Sequence, residues 1–418
     1  MVIYKLQLFV TASFFAIVDF APTLPQILNE ANTTASQKTS LTSVSSGVKD
    51  GKKATFYPEP LPNGSFALKF RKKIVSSEAY ETAAVFDVDH DGNPDIVSGA
   101  YWYAGPGFTE KIKVGEVRKQ GEFYDDFSTI PIDVNGDGYL DFVTGGWWGN
   151  TVRWRENPKG KKIEWPEHVI AECGNVETTR AWDVDNDGTI EIVPNNPNRP
   201  LLCFRLNKAT GTFEKYVLHE KQGHGFGFGD INGDGRGDFI LPDGWLEAPV
   251  DPWKGKWSFH PEFRLGETGI PVIVTDLNND GRNDLIVGQG HAYGLDWYEQ
   301  QLNNTDNTRS WVKHSIDSKN SQFHTLMWED IDNDGKPELV TGKRFRAHDD
   351  KDAGAADDYG LYYYKWNGNS FDKNTIVFGP KGTGKGTGNY FAISDIDKSG
   401  KKDIVVGGKD GLWIFYSE

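Results

Sequence analysis

One nine-residue pattern, D-x-[DN]-x-D-G-x-x-[DE], recurs along this chain and constrains its fold more than any other feature. Each copy lies between two short apolar segments, and successive copies are 46, 50, 47, 46, 54 and 65 residues apart. Such an interval holds about four short strands, which is the size of one β-propeller blade. The seven copies begin at Asp87, Asp133, Asp183, Asp230, Asp276, Asp330 and Asp395, and the last has Ser399 where the others have Asp.

The composition agrees with a ring of short strands. The 418 residues include 47 Gly, 14 Trp, 16 Tyr and 25 Phe, which favours strands and turns over long helices. Only 23 residues follow Asp395, too few for a complete blade, so we expect the segment from about Ala54 to Phe70 to supply the missing outer strand and close the ring. The sequence therefore predicts an all-β fold, with a single seven-bladed β-propeller domain over residues 54–418.

The first residues predict export from the cell. Residues 1–21 have the pattern of a signal peptide, with Lys5 ahead of the apolar run Leu8–Val18. That run is short for a membrane span of about 20 residues, so a membrane anchor is the weaker interpretation. Residues 22–53, rich in Ser, Thr, Asn and Lys, predict a mobile leader. We therefore expect a secreted, extracellular protein.

The charge limits the possible partners. A formal net charge of −15 argues against nucleic acid and anionic membranes, because both attract basic surfaces. Two cysteines cannot build a disulfide scaffold or a four-thiolate metal site. The sequence does not fix the oligomeric state, and a monomer is the expectation.

The seven loops concentrate carboxylates. Positions 1, 3, 5 and 9 carry 24 of the 60 acidic residues, and oxygen ligands around a Gly turn suit Ca²⁺. The alternative is a metal-free network in which Asp and Asn side chains cap the loop backbone. We expect at least one structural Ca²⁺, in the loops with four carboxylates: Asp87, Asp89, Asp91 and Asp95; Asp183, Asp185, Asp187 and Glu191; Asp330, Asp332, Asp334 and Glu338.

These repeats resemble those of FG-GAP or VCBS-type propellers, a group of mostly secreted or cell-surface proteins. In such a blade the inner strand runs into the acidic loop, so residues six positions before each loop meet at the opposite mouth of the ring. That ring is Glu81, Phe127, Glu177, His224, Ile270, His324 and Asn389. A second ring, just past each second strand, differs from blade to blade and includes His291 and Lys343. Variation at the mouth, beside constant loops, indicates function there.

The mouth residues favour one chemistry. Imidazoles beside cations suit β-elimination from a uronic acid, in which a cation neutralises the carboxylate and a His removes the C5 proton. The strings GHGFGFGD, GQGHAYGLDWYE, SQFHTLMWED and TGKRFRAHDD also resemble secreted propeller polysaccharide lyases, including those that release terminal rhamnose linked to glucuronate in arabinogalactan or gum arabic-type glycans. The resemblance implies an acidic polysaccharide or oligosaccharide substrate and His224, His291, His324 and Lys343 as catalytic residues.

The remaining mouth residues are expected to bind substrate: Gln289, Arg344, Arg346, Arg180, Glu81, Trp102, Trp148, Trp245 and Asn389. Two alternatives stay open. A non-catalytic carbohydrate-binding or adhesion propeller would use the Trp side chains for stacking on sugars. A glycoside hydrolase would need two opposed carboxylic acids, for which Glu81 and Glu177 are available.

Overall fold

Seven four-stranded antiparallel sheets, one for each repeat, make up the computed structural model, which describes residues 67–303, 305–306 and 308–418. The signal peptide and the leader predicted for residues 1–53 lie outside the described residues. In the described part of the chain the single helical segment is a short 3₁₀ turn, Ala347–Asp350. No helix in this part is both long and apolar enough to span a membrane. The predicted all-β propeller is confirmed.

The strands of each blade follow one another outward from the central axis. Their bounds are, for blade 1, Ala84–Phe86, Asp95–Ser98, Tyr101–Ala104 and Glu110–Lys113; for blade 2, Ile130–Ile132, Asp141–Gly145, Thr151–Arg155 and Glu167–Glu172; for blade 3, Thr178–Trp182, Glu191–Asn195, Leu201–Asn207 and Thr212–His219; for blade 4, Gly227–Gly229, Asp238–Leu241, Gly244–Glu247 and Ser258–His260.

The later blades have the same order of strands, and the outer strands of blades 5 and 6 are the longest. Blade 5 comprises Ile273–Thr275, Asp284–Gly288, Tyr293–Leu302 and Arg309–Ser321; blade 6 comprises Phe323–Glu329, Glu338–Lys343, Tyr359–Trp366 and Phe371–Gly379; and blade 7 comprises Phe391–Ser394, Asp403–Val406, Leu412–Ser417 and, from the other end of the chain, Phe70–Ser76. A two-stranded hairpin, Lys119–Gln120 with Phe123–Tyr124, separates blades 1 and 2.

Blade 7 joins the two ends of the described chain. Phe70–Ser76 pairs antiparallel with Leu412–Ser417, from Phe70 opposite Ser417 to Ser76 opposite Leu412. The expected closure by an N-terminal strand is therefore present. The strand begins at Phe70, whereas the sequence placed it between about Ala54 and Phe70. Closure removes the open edge at which other chains could pair.

The hydrophobic core is divided among the seven blade interfaces. Each of its seven clusters draws residues from two consecutive blades, including one between blades 7 and 1 that contains Ile96 and Val405. A fully buried aliphatic side chain contributes roughly 1.5–3 kcal/mol. Because every blade buries its faces against its neighbours, the stability of each blade depends on the whole ring.

All seven acidic loops have the same internal hydrogen bonds. The ninth residue accepts from the backbone N–H seven positions earlier, as Asp95 does from Val88 at 2.8 Å, and the first Asp accepts from the Gly five positions later, as Asp87 does from Gly92 at 3.0 Å. The other loops repeat both bonds. The capping hydrogen bonds that the metal-free alternative requires are thus present in every loop, and they make each one a rigid turn.

Removal of the closing strand should destabilise the whole domain. A chain that starts at Ser77 exposes the edge of blade 7, and we expect its melting temperature to fall by roughly 10 °C or more, since each kcal/mol shifts a domain of this size by a few degrees. Differential scanning calorimetry measures the change. A chain that starts at Ala67 keeps the strand and is the control; equal melting of both truncated chains would contradict the role given to Phe70–Ser76.

Candidate functional site

The residues six positions before the acidic loops meet at one mouth of the ring, as the counting predicted. The Arg344 guanidinium bonds to Glu81 in blade 1 and lies 3.5 Å from Glu177 in blade 3. Deeper in the centre, Arg180 donates to the backbone oxygens of Ile270 and Asn389. Side chains of blades 1, 3 and 6 and backbone oxygens of blades 5 and 7 are therefore tied together at the axis.

Three imidazoles and one carboxylate form the centre of this site, which we call the histidine cluster: Glu177, His224, His291 and His324. Nε2 of His324 lies 3.1 Å from Oε1 of Glu177, and Nε2 of His224 lies 3.6 Å from the same oxygen. Nε2 of His291 lies 2.9 Å from Nε2 of His224. All four side chains are largely buried, with at most 11% of any one exposed. One ring nitrogen from each histidine and a carboxylate oxygen of Glu177 lie within 4.8 Å of one another.

Backbone geometry fixes His224 in this position. Gly225 has φ of +95°, and a Cβ there would lie 1.8 Å from Oγ1 of Thr268 in the adjoining segment. No other residue fits, because the left-handed conformation and the close contact both require glycine. His224 then places Nδ1 at 3.1 Å from the Thr268 carbonyl oxygen. The Gly-rich string around His224 therefore allows blades 4 and 5 to approach each other closely.

Burial and neighbouring charges set the protonation of the cluster. Burial alone would raise the pKa of Glu177, but its close contacts with the His224 and His324 rings hold it well below its usual range. Burial lowers the pKa of His291 to about 4, with a further contribution from His224. Burial and the charge of Arg344 lower the pKa of His324, whereas for His224 the Glu177 carboxylate outweighs burial and raises the pKa. At neutral pH His291 and His324 are therefore neutral.

Arg344 is committed to structure. Its Nε and Nη2 donate to the two carboxylate oxygens of Glu81 at 2.9 and 3.2 Å, and Nη1 is 3.1 Å from Nε2 of His324. The side chain is 3% exposed. The sequence assigned Arg344 to the substrate carboxylate, but its donors are already used by protein groups.

Lys343 does not join the histidine cluster. Its ammonium group donates to the backbone oxygens of Gly354, Ala355 and Asp357, so it holds the segment that follows the 3₁₀ turn. Burial lowers its pKa. Lys343, predicted as catalytic, is placed by the structure as an anchor within residues 348–358, which we call the blade 6 loop.

The blade 6 loop brings in two residues that the sequence analysis did not single out. Asp352 accepts from Nδ1 of His291 at 2.9 Å through Oδ2 and from Nδ1 of His348 at 3.0 Å through Oδ1. The His348 ring stacks on His291 with centroids 4.2 Å apart, yet its side chain is 56% exposed. The available signal was His348 within the string TGKRFRAHDD, four residues before Asp352.

A pocket of about 490 Å³ opens above the cluster. Its lining includes the buried side chains of Glu177 and Arg344, the blade 6 residues His348, Lys351 and Asp352, and an aromatic wall of Phe123, Phe127, Trp147 and Trp148. Trp148 therefore lies at the mouth. Sugar rings stack on such surfaces.

Other predicted binding residues are less accessible. Trp102 and Trp245 are 0% and 1% exposed and pack inside blade cores, so neither can stack on a sugar. Asn389 and Arg180 are buried in the centre. Gln289 donates to the Leu265 backbone oxygen at 3.0 Å. Arg346, by contrast, is partly exposed at the mouth, where it lies 3.2 Å from Asp350 and 3.4 Å from Glu122.

The insertions differ in where they lead. The blade 6 loop, within the insertion that begins at His348, lines the mouth through Lys351 and Asp352. The insertion from Asn303 to Asp317 extends the outer hairpin of blade 5, and its base is fastened to the acidic-loop face, where Arg282 donates to the Gln300 backbone oxygen at 3.1 Å. It therefore does not wall the mouth.

Comparison with known protein families matches two segments of the chain. The model described as FG-GAP-like repeat matches residues 133–193 and 276–341. The chain is a seven-bladed propeller in which these two segments are similar to FG-GAP-like repeats. No curated protein matches it.

Three solved structures resemble this chain at low identity. A crystal structure of BBS1N in complex with ARL6DN, soaked with lead, has 10% identity and a TM-score of 0.49, over 83% of this chain and 96% of that one. The same complex soaked with mercury gives 11% and 0.48, over 82% and 94%. A Photorhabdus luminescens Tc holotoxin pore gives 12% and 0.35, over 79% of this chain and 16% of that one.

In two of the acidic loops expected to hold Ca²⁺, a basic side chain of the protein lies beside the carboxylates. In blade 3, Arg205 lies 2.9 Å from Asp185 and 3.6 Å from Glu191. In blade 6, the Lys365 ammonium contacts Asp332 and lies 3.4 Å from Glu338. Both basic residues stand on the third strand, opposite the ninth loop residue.

The loop of blade 1 has no such cation. Ala104 occupies the equivalent position opposite Asp95, and among the described residues no Lys or Arg forms an ion pair with any of its four carboxylates. Oδ1 of Asp87 is buried without a hydrogen-bond partner. Oxygen ligands of this kind suit Ca²⁺. Of the three four-carboxylate loops, blade 1 therefore fits a bound divalent cation best.

The blades with Asn at the third loop position show the opposite substitution. Their third strands carry a Glu opposite the ninth loop residue, and each Glu pairs with a His of the outer strand: Glu156 with His168, Glu247 with His260 and Glu299 with His314, at 2.8 to 3.0 Å. These histidines also stack on tryptophans of the same blades. These three histidines are therefore structural.

The anchoring role of Lys343 can be tested. Lys343→Met removes three hydrogen bonds to the blade 6 loop, and we expect residues 349–358 to exchange amide hydrogens at least about tenfold faster, since one or two kcal/mol of local stability is lost. Hydrogen exchange with mass spectrometry measures this. Lys351→Met, a change of an exposed lysine in the same loop, is the control. Unchanged exchange in Lys343→Met would refute the anchor.

Proposed function

We propose that this protein is a secreted polysaccharide lyase that cleaves the glycosidic bond at the 4-position of a uronic acid residue by β-elimination. The observation that carries the proposal is the convergence of three histidines and Glu177 beneath a pocket that has an exposed His348 and an aromatic wall. The resemblance in the mouth strings favours glucuronate with terminal rhamnose in arabinogalactan-type glycans as the substrate.

His348 is the best-placed general base. Because its Nδ1–H donates to Asp352, the lone pair of Nε2 is free toward the pocket. The Asp352 carboxylate orients the ring and stabilises the imidazolium that forms when His348 takes the C5 proton. The electrons of the C5–H bond then form the C4–C5 double bond as the C4–O bond breaks. This assignment moves the base from the buried rings to the exposed His348.

The departing oxygen and the carboxylate need partners as well. Lys351 lines the same pocket, and its ammonium group can protonate the leaving oxygen. Arg346 is the predicted carboxylate partner that remains accessible at the mouth, since Arg344 is held by Glu81. The positive charge near the carboxylate makes the C5 proton more acidic, which is what elimination requires.

The hydrolase alternative is less well supported. A hydrolase needs one protonated carboxyl group as its acid. Burial would raise the pKa of Glu81, but the charge of Arg344 brings it below the usual range, and the pKa of Glu177 is also lowered. Both carboxyl groups are therefore ionised and joined by one guanidinium. The aromatic wall is also compatible with the non-catalytic carbohydrate-binding alternative, which the assay below distinguishes.

Activity should depend on His348. With gum arabic as substrate, we expect His348→Asn to lower the rate of absorbance increase from the unsaturated uronate by about 100-fold or more, the usual contribution of a general base. His314→Asn is the control. It removes a histidine that also has a carboxylate partner, Glu299, but lies on an outer strand, and the rate of this variant should match that of the unmodified protein. New reducing ends without the absorbance would indicate a hydrolase, and glycan retention without a product would indicate a binding propeller; either would refute the lyase.

Structural Ca²⁺ is proposed for the loop of blade 1. Chelation should then lower the melting temperature of the unmodified protein by about 5 °C, as expected for an ion present near 100 times its dissociation constant. Asp89→Asn should lose this sensitivity. Lys365→Met empties the cation position of blade 6 and should gain a second, calcium-dependent stabilisation. A melting temperature of the unmodified protein that does not change on chelation would contradict the Ca²⁺ site.

A further inference from the structure

The hydrogen bonds of the histidine cluster fix the direction of its imidazole lone pairs. Nδ1 of His224 faces the Thr268 carbonyl oxygen, and Nδ1 of His291 faces the Asp352 carboxylate. Both partners are acceptors, so each Nδ1 carries the hydrogen and each Nε2 carries a lone pair in the neutral ring. These two Nε2 atoms nevertheless face each other at 2.9 Å.

The rest of the cluster adds more acceptors to the same place. Nε2 of His324 lies 3.1 Å from Oε1 of Glu177, and the one donor aimed at this pair is Nη1 of Arg344, 3.1 Å from His324 and 3.5 Å from Glu177. Three ring nitrogens and a carboxylate oxygen thus converge with a single guanidinium hydrogen donor among them. Acceptors this close and this buried repel one another unless a cation lies between them.

We infer that Glu177, His224, His291 and His324 bind a divalent first-row transition metal, with Zn²⁺ as the representative ion. Three imidazole nitrogens and one carboxylate oxygen are ligands of this class of metal and differ from the all-oxygen sets preferred by Ca²⁺. A tetrahedral ion with bonds of about 2.1 Å separates its ligand atoms by about 3.4 Å. The measured separations of 2.9, 3.1 and 3.6 Å lie around that value.

The surroundings match those of known kinds of metal site. Ligating histidines usually donate their second N–H to a carboxylate or a backbone oxygen, which fixes the ring orientation. Here Asp352 has this role for His291 and the Thr268 carbonyl has it for His224. Glu177 lines the pocket, so an ion at this place would be reachable by a substrate carboxylate. The metal site does not rest on the proposed lyase activity, because binding needs no substrate.

Metal binding can be measured directly on the full chain without an affinity tag. The protein is dialysed with Zn²⁺ or Co²⁺ in the presence of excess Ca²⁺, which masks the acidic loops, and bound metal is counted by elemental analysis. We expect one equivalent, and for Co²⁺ the intense visible absorption of a four-coordinate ion. His291→Asn and Glu177→Gln should each lower the affinity by at least about 100-fold, and Asp352→Asn, which only orients His291, by about 10- to 100-fold.

The control and the opposing result are as follows. His260→Asn removes an outer-strand histidine that pairs with Glu247, and it should bind one equivalent like the unmodified protein. Melting curves of every variant without metal establish that it is folded, and Glu177→Gln preserves side-chain volume if His291→Asn does not fold. Substoichiometric binding by the folded, unmodified protein would overturn the inference and leave a proton between His224 and His291. Unchanged binding in both ligand variants would also overturn it.

Discussion

The packing of each blade against two neighbours is the constraint on which the structure depends. A four-stranded twisted sheet with apolar residues on both faces cannot be stable in water by itself, and each core cluster here is shared by two blades. The ring therefore forms as a unit, closed by the strand Phe70–Ser76. The start of every inner strand is held close to the axis as a result, which leaves the mouth side chains little freedom. A site of buried, unlike side chains is possible there because the ring supplies the rigidity.

The fold was predictable because it is repeated. Seven copies of one acidic pattern at blade spacing fix the number of blades, and counting six residues back from each loop identifies the ring that contains Glu177, His224 and His324. That counting works because inner strands have nearly constant length and the side-chain direction follows from the strand register. The closing strand was expected too, although its position was wrong by several residues, since no repeat marks a strand that stands outside the pattern.

The partners of individual side chains were not predictable. Arg344 and Lys343 are adjacent in sequence, yet their partners differ. Arg344 bonds to Glu81, 263 residues away, whereas Lys343 donates to carbonyl groups of a nearby loop. Neighbouring side chains of a strand point to opposite faces of the sheet. The acceptors available on each face depend on how the ring is assembled. The same holds for Arg205 and Lys365, which meet their acidic loops across a strand pair. His348 was not predicted as a site residue because it lies in an insertion that has no repeat pattern.

The single carboxylate of Asp352 touches a buried ring with one oxygen and an exposed ring with the other. A change at either ring therefore acts on the other through this shared carboxylate, so the solvent-facing and the interior parts of the mouth are coupled. This connection resides in a short insertion between two strands of blade 6. Variation in the length or sequence of that insertion can alter the mouth while the seven blades, and the stability they share, remain as they are.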